Sequence, residues 1–143
     1  MKKSPQSIIL IFLLMMTVLS CSAGSGKTAI KDINTEQLLE LQQQGAIVID
    51  VRTPEEWDAT GIIPGAKKAM YFNQQMQPVE DEFLKEISAI TSNTNKPVVL
   101  YCRSGGRSGK AAKLLAEQSE LKNVYSLDGG IQKWLAEGKA TEK

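Results

Sequence analysis

Apolar positions along the chain fall into three patterns, and each predicts a different kind of element. The first is a continuous stretch: residues 8–19 are apolar except for Thr17. The second is a set of short runs rich in β-branched residues, at 46–51 (AIVIDV), 98–101 (VVLY) and 124–127 (VYSL). Their length and near-continuous apolar character suit strands covered on both faces. The third is helical spacing between those runs. Asn34 can cap a helix, with Gln37 three residues on to close a capping-box pair. Leu38, Leu39 and Leu41 form its apolar face, and Gly45 ends it. Pro54 opens a short helix over 54–58. Ile63-Pro64-Gly65-Ala66 is a turn. Val79, Phe83, Leu84, Ile87 and Ile90 mark a helix over 79–90, followed by a loop at 93–97. Ala111, Ala112, Leu114 and Leu115 mark another over 107–118, and Ile131, Trp134 and Leu135 mark a last one after Gly129-Gly130. Strands alternating with helices predict an α/β fold: one domain over 30–138, with a mainly parallel central sheet and helices on both faces. Residues 139–143 read as a polar tail. In such sheets ligands bind beyond the carboxyl ends of the strands.

The apolar stretch at 8–19 is too short to cross a bilayer, which takes about 20 residues, and suits the core of a secretory signal. Lys2 and Lys3 precede it and Val18-Leu19-Ser20-Cys21 follows. That box resembles a bacterial lipobox. The resemblance implies a signal peptide at 1–20, acylation of Cys21, and an exported protein anchored by its lipid. Anchored so, it faces the periplasm or lies at the cell surface. Ser22, rather than Asp, after Cys21 favours an outer-membrane address over an inner one in a host with both. Residues 21–29 are then the lipidated Cys and a Gly- and Ser-rich tether. Gly24-Ser25-Gly26-Lys27-Thr28 mimics the end of a phosphate-binding loop. That motif needs a Gly where Cys21 stands and a strand ahead of it, so nucleotide binding is set aside.

Charge and composition narrow the chemistry. Seventeen basic residues face 16 acidic ones. Loss of Lys2 and Lys3 leaves 15 against 16, so no basic field is present for nucleic acid. The chain has no His. Ser-His-Asp and Cys-His catalysis are therefore excluded, as is nearly every transition-metal site, and no metal or cofactor is expected. Of the two Cys residues, an acylated Cys21 leaves Cys102 a lone thiol in a compartment that oxidises thiols.

Cys102 ends the run at 98–101 and opens Cys102-Arg103-Ser104-Gly105-Gly106-Arg107-Ser108. Gly105 and Gly106 permit a tight curl whose N–H groups converge as an anion nest, and the following helix adds its positive end. Arg103 and Arg107 add full charges. A thiol held there ionises readily, and the same donors suit a persulfide anion. Cations are disfavoured at a helix start. Arg107 is therefore expected to serve an anion and to contribute little to folding. A buried structural Cys is the plain alternative for Cys102, but an apolar pocket needs neither the Gly pair nor the Arg pair. Lys110 and Lys113 read as solvated helix residues, and Trp57 and Trp134 as core.

Three segments resemble the rhodanese family. Asp50-Val51-Arg52-Thr53-Pro54-Glu55-Glu56-Trp57 with Gly61-Ile62-Ile63-Pro64-Gly65-Ala66 is similar to that family's D-V-R, acidic-aromatic, G-H-I-P-G-A segment, with Ile62 in place of its His. The Cys102–Ser108 stretch resembles its active-site loop, and Leu127-Asp128-Gly129-Gly130 with Trp134 its closing motif. The matches occur in family order over about 30–134. The resemblance implies a sulfurtransferase in which Cys102 takes sulfur from a small anionic donor, thiosulfate or polysulfide, and passes it to a thiol, cyanide or a protein Cys. Arg103, Ser104, Gly105, Gly106, Arg107 and Ser108 would hold the donor and the persulfide. Asp50 and Arg52 would buttress the loop by hydrogen bonds without acting on sulfur. The membrane is met only through the lipid. Two alternatives stand beside this reading. One is a Cys-dependent phosphatase or arsenate reductase, whose loop has five residues between Cys and Arg where this chain has four. The other is a non-catalytic rhodanese-like binding module, a class that generally lacks the Cys.

Overall fold

The computed structural model describes residues 30–92 and 95–143. The expected signal, the lipidated Cys21, the 21–29 tether and the first two residues of the 93–97 loop lie outside those residues. Five strands pair in the order β1-β5-β4-β2-β3, and every pairing is parallel. They are β1 Lys31–Ile33, β2 Ile47–Asp50, β3 Lys67–Lys68, β4 Val98–Tyr101 and β5 Val124–Leu127. The helices are α1 Thr35–Gln43, α2 Pro54–Thr60, α3 Glu80–Thr91, α4 Gly106–Gln118 and α5 Gly130–Ala136. An α/β domain with helices on both faces is thus what the chain forms.

Alternation along the strands sorts the core into two halves. Val98, Leu100 and Cys102, with Ile49, Val51 and Val124, face α3 and α4, where Phe83, Ile87, Ala111 and Leu115 meet them. Val99, Tyr101, Val48 and Leu127 point the other way, toward Leu38 of α1 and Ile131 and Trp134 of α5. Each such side chain removed from water contributes about 1.5–3 kcal/mol. The Asn34 cap forms as its spacing predicts: Gln37 N–H donates to the Asn34 side chain at 2.9 Å, and Asn34 N–H donates to the Gln37 side chain at 3.0 Å.

Three features depart from the sequence reading. β1 and β3 appear where no apolar run marks them. They lie at the sheet's two edges and carry charged residues, which suit an edge because they discourage further pairing. The helix expected at 54–58 runs on to Thr60. Residues 139–143 are no free tail. Ile62 and Glu142 exchange backbone hydrogen bonds at 2.8 and 2.9 Å, Trp134 Nε1 donates to Ala140 O at 2.8 Å, and Glu142 Oε1 accepts from Gly65 N–H at 2.9 Å. The segment's backbone groups find partners on the domain, which its polar side chains alone do not suggest.

Candidate functional site

β4 delivers Cys102 to the carboxyl edge of the sheet, and α4 begins four residues later. The turn between them hinges on one glycine. Gly105 has φ +104, the left-handed region that glycine enters freely. Gly106 has no such need: a Cβ there would meet nothing within 4 Å. The loop is also gripped from α5, whose Ile131 and Gln132 N–H groups donate to the Cys102 and Arg103 carbonyls at 3.0 and 3.1 Å.

Cys102 is 1 % exposed. Burial pushes its thiol up, but the N–H groups of Ser108, Ser104 and Gly105 and the Ser108 hydroxyl pull it below the ordinary thiol value. Gly105 N–H donates to Sγ at 3.1 Å and Ser108 Oγ–H at 3.6 Å. A cavity of about 760 Å³ opens beside the sulfur. Arg103, Ser104, Gly106 and Arg107 line it, so the loop residues singled out from sequence converge on the sulfur or on its cavity.

Arg107 is not free for an anion alone. Its Nη1 and Nη2 each donate to a Glu56 carboxylate oxygen at 2.6 Å, a bidentate pair across the cavity mouth. Thr53 N–H holds Glu56 Oε2 from behind at 3.1 Å. Burial works against ionisation of Glu56, yet the Arg107 bonds and Thr53 N–H hold its carboxyl below the usual range. The paired carboxylate in turn raises the Arg107 guanidinium, which also faces the Cys102 sulfur. From the sequence, Arg107 is expected to serve an anion and to contribute little to folding; the structure gives its fork a resident carboxylate partner, which bears on both expectations.

Asp50 and Arg52 lie outside the cavity. Both are buried, at 0 % and 1 % exposure. Arg52 gives Nε and Nη2 to the Asp50 carboxylate, and its other N–H groups reach Glu56 O, Thr60 Oγ1 and Gly61 O. These bonds fix the two ends of α2, and through Glu56 the pair acts on the loop at one remove. Tyr101 joins them: its hydroxyl accepts Ile63 N–H at 2.9 Å, and burial beside Asp50 raises its phenol strongly. Ile62, where the resembling family has His, packs in the core half opposite Cys102.

Sequence reasoning missed Glu56, Phe72 and Ser126; Lys110 is exposed, as expected of a solvated helix residue, and it also borders the cavity. Lys110 lies on the cavity wall with Nζ 5.6 Å from the Phe72 ring centroid. Its spacing from Arg107, one helical turn, was the available signal. For Glu56 the signal was Thr53-x-x-Glu56, a capping-box spacing that fixes a carboxylate at a helix start. Nothing in the sequence marks Ser126 as the neighbour of Ser108 Oγ, or Phe72 as part of the cavity wall.

The rhodanese-like domain model matches residues 34–137. A thiosulfate sulfurtransferase, GlpE, of Pseudomonas entomophila is 35% identical over 104 residues, which cover 73% of this chain and 84% of that protein. The polysulfide-sulfur transferase homodimer of Wolinella succinogenes superposes with a TM-score of 0.60 at 26% identity, covering 81% of this chain and 80% of that one. A Rhodopseudomonas palustris protein described as a possible tyrosine phosphatase superposes at 0.58 with 26% identity, covering 79% and 85%.

Proposed function

The chain belongs to the rhodanese-like domain family, and on that premise we propose that it is a sulfurtransferase moving sulfane sulfur from thiosulfate or polysulfide to a thiol, cyanide or a protein Cys through a persulfide on Cys102. The observation that carries the reading is the sulfur's setting. It is a buried thiol held below its ordinary pKa by converging N–H donors, and it opens into a cavity lined by Arg103, Arg107 and Lys110 together with Glu55 and Glu56.

The chemistry follows from that setting. Cys102 Sγ, as thiolate, attacks the outer sulfur of the donor. A new S–S bond forms, the donor's own S–S bond breaks, and sulfite or a shorter polysulfide leaves with the bonding pair. Sulfite leaves as a stable anion, so no general acid is required. The negative charge passes to the outer sulfur of Cys102–S–S⁻. The N–H groups around Sγ, with Arg103 and Lys110 at the wall, suit that anion. An acceptor thiolate or cyanide then attacks the outer sulfur and regenerates the Cys102 thiolate.

The phosphatase reading is weaker on the same geometry. Four residues separate Cys102 from Arg107, and Glu56 occupies the Arg107 fork. No free guanidinium fork is then left on that residue to clasp a tetrahedral oxyanion.

The proposal extends to the address. The lipobox at 18–21 makes the protein an exported lipoprotein held at a membrane through Cys21.

Intact mass tests the central step. After exposure to thiosulfate or polysulfide the protein should gain the mass of one sulfur atom, removed by cyanide or dithiothreitol. Cys102→Ser should gain nothing. An equal adduct on that variant would refute the assignment.

A further inference from the structure

Beneath the Cys102 sulfur lies a pair of buried hydroxyls. Ser126 in β5 shares the sheet face of Val124, the face that α4 covers, and is 1 % exposed. Its Oγ lies 3.0 Å from Ser108 Oγ. Ser108 Oγ in turn lies 3.0 Å from Gly105 O and 3.6 Å from Cys102 Sγ.

A hydroxyl has one proton to give, which fixes the direction of this chain. Gly105 O can only accept, and it already receives Gly109 N–H at 2.9 Å. A thiolate can only accept as well. The Ser126 hydroxyl finds its acceptor in Ser108 Oγ, and a buried donor left unpaired is costly. Ser126 therefore donates and Ser108 accepts. The Ser108 proton is left to choose between Gly105 O and Sγ. With Cys102 ionised the charged acceptor wins, because such bonds are roughly twice as strong as neutral ones. Accepting from Ser126 also polarises the Ser108 O–H and strengthens what it gives.

We propose that Ser126 is a positioning residue for the Cys102 nucleophile: its proton, donated to Ser108 Oγ, turns the Ser108 proton onto the sulfur and favours the thiolate. The proposal rests on the reading of Cys102 as the nucleophile. Charged and titratable groups meet the sulfur and its cavity from several other sides. They are Arg107 and Lys110 of α4, Arg103 of the loop, Glu55 and Glu56 of α2, and Tyr71 in the same core half. All of them stay in place when Ser126 is changed, so a difference between variants reports the hydroxyl.

The test is the pH dependence of Cys102 alkylation by iodoacetamide, followed by intact mass. It uses the full chain in detergent with Cys21→Ser, so that Cys102 is the single thiol. Ser126→Ala should move the midpoint up by about 0.3–0.5 of a pH unit. Ser126→Thr, which keeps a hydroxyl, should restore it. Ser126→Gly should give the same shift as alanine and serves if alanine disturbs folding. Ser108→Ala should move the midpoint by about one unit. In that background Ser126→Ala should add nothing, since its path to the sulfur is gone. A Ser126→Ala midpoint equal to the parent's, or a shift that survives in the Ser108→Ala background, overturns the proposal. Alkylation needs no sulfur donor. Failure to form a persulfide would therefore sink the sulfurtransferase reading and leave the hydroxyl relay standing.

Discussion

At the scale of single residues, Arg107 shows how a motif can be legible while its partner is not. A cation at a helix start asks for an anion. The sequence offers 16 carboxylates, and only the fold selects Glu56 from across the cavity. The guanidinium therefore holds the Glu56 carboxylate by its fork and brings its charge to the cavity that opens beside Cys102. Arg107→Ala should lower both activity and stability. A hydrogen bond to a charged group is worth about 1.5–3 kcal/mol, so kcat/KM for thiosulfate should fall roughly tenfold to hundredfold. A partly exposed ion pair contributes about 1 kcal/mol, or about 3–6 °C in Tm for a domain of this size. The stability difference should also depend on pH. Glu56 is held below its ordinary value of 4.5. The contribution of the pair is therefore whole above that value and is lost as pH falls through the lower folded one. Melting wild type and Arg107→Ala side by side from neutral to acidic pH should show two curves that converge at the acidic end. Curves that stay parallel throughout would mean the pair is not the source.

At the scale of elements, legibility followed burial. β4 and β5 are apolar runs whose bounds match the sequence reading, because strands buried on both faces leave continuous apolar stretches. β1 reads Lys-Asp-Ile and β3 Lys-Lys. Their strand character comes from the neighbours that pair with them, which no local pattern records. The glycines divide in the same way. Gly106 looked as necessary to the loop as Gly105, whereas the close approach occurs at Gly130, in the turn into α5. A Cβ there would lie 2.4 Å from Cys102 O and 2.7 Å from Arg103 O, with φ at +51. The obstacle is the backbone of the active loop itself, which cannot swing aside as a side chain can. Gly130→Ala should therefore destabilise the fold by more than about 2 kcal/mol or displace the loop. Gly106→Ala, at ordinary φ and with open space, should melt within a few degrees of wild type. Thermal melts of the two variants decide this, and equal losses would contradict the packing described for α5.

At the scale of the whole molecule, parallel pairing sets the relation between anchor and site. All strands run the same way, so Cys102 emerges at the carboxyl end of the sheet while the chain enters β1 at the amino end. The proposed lipid on Cys21 is joined to that entry through residues 22–29. If the proposed anchor holds, a tether joined at the amino edge would leave the opposite edge, with the cavity, free to face the aqueous side. Donor and acceptor would then reach Cys102 from that side, and the anchor would set location without entering the chemistry. Cys21→Ser should release the protein from membranes and abolish labelling by a fatty-acid analogue. A single acyl chain already gives measurable membrane affinity and several give stable attachment, so the change in fractionation should be large. The same variant should keep kcat/KM for thiosulfate within about twofold of the anchored protein in vesicles, because an unchanged transition-state barrier leaves the rate constant unchanged. Continued labelling of Cys21→Ser would remove the lipoprotein assignment. Release accompanied by a large change in kcat/KM would keep the anchor but place the cavity against the membrane.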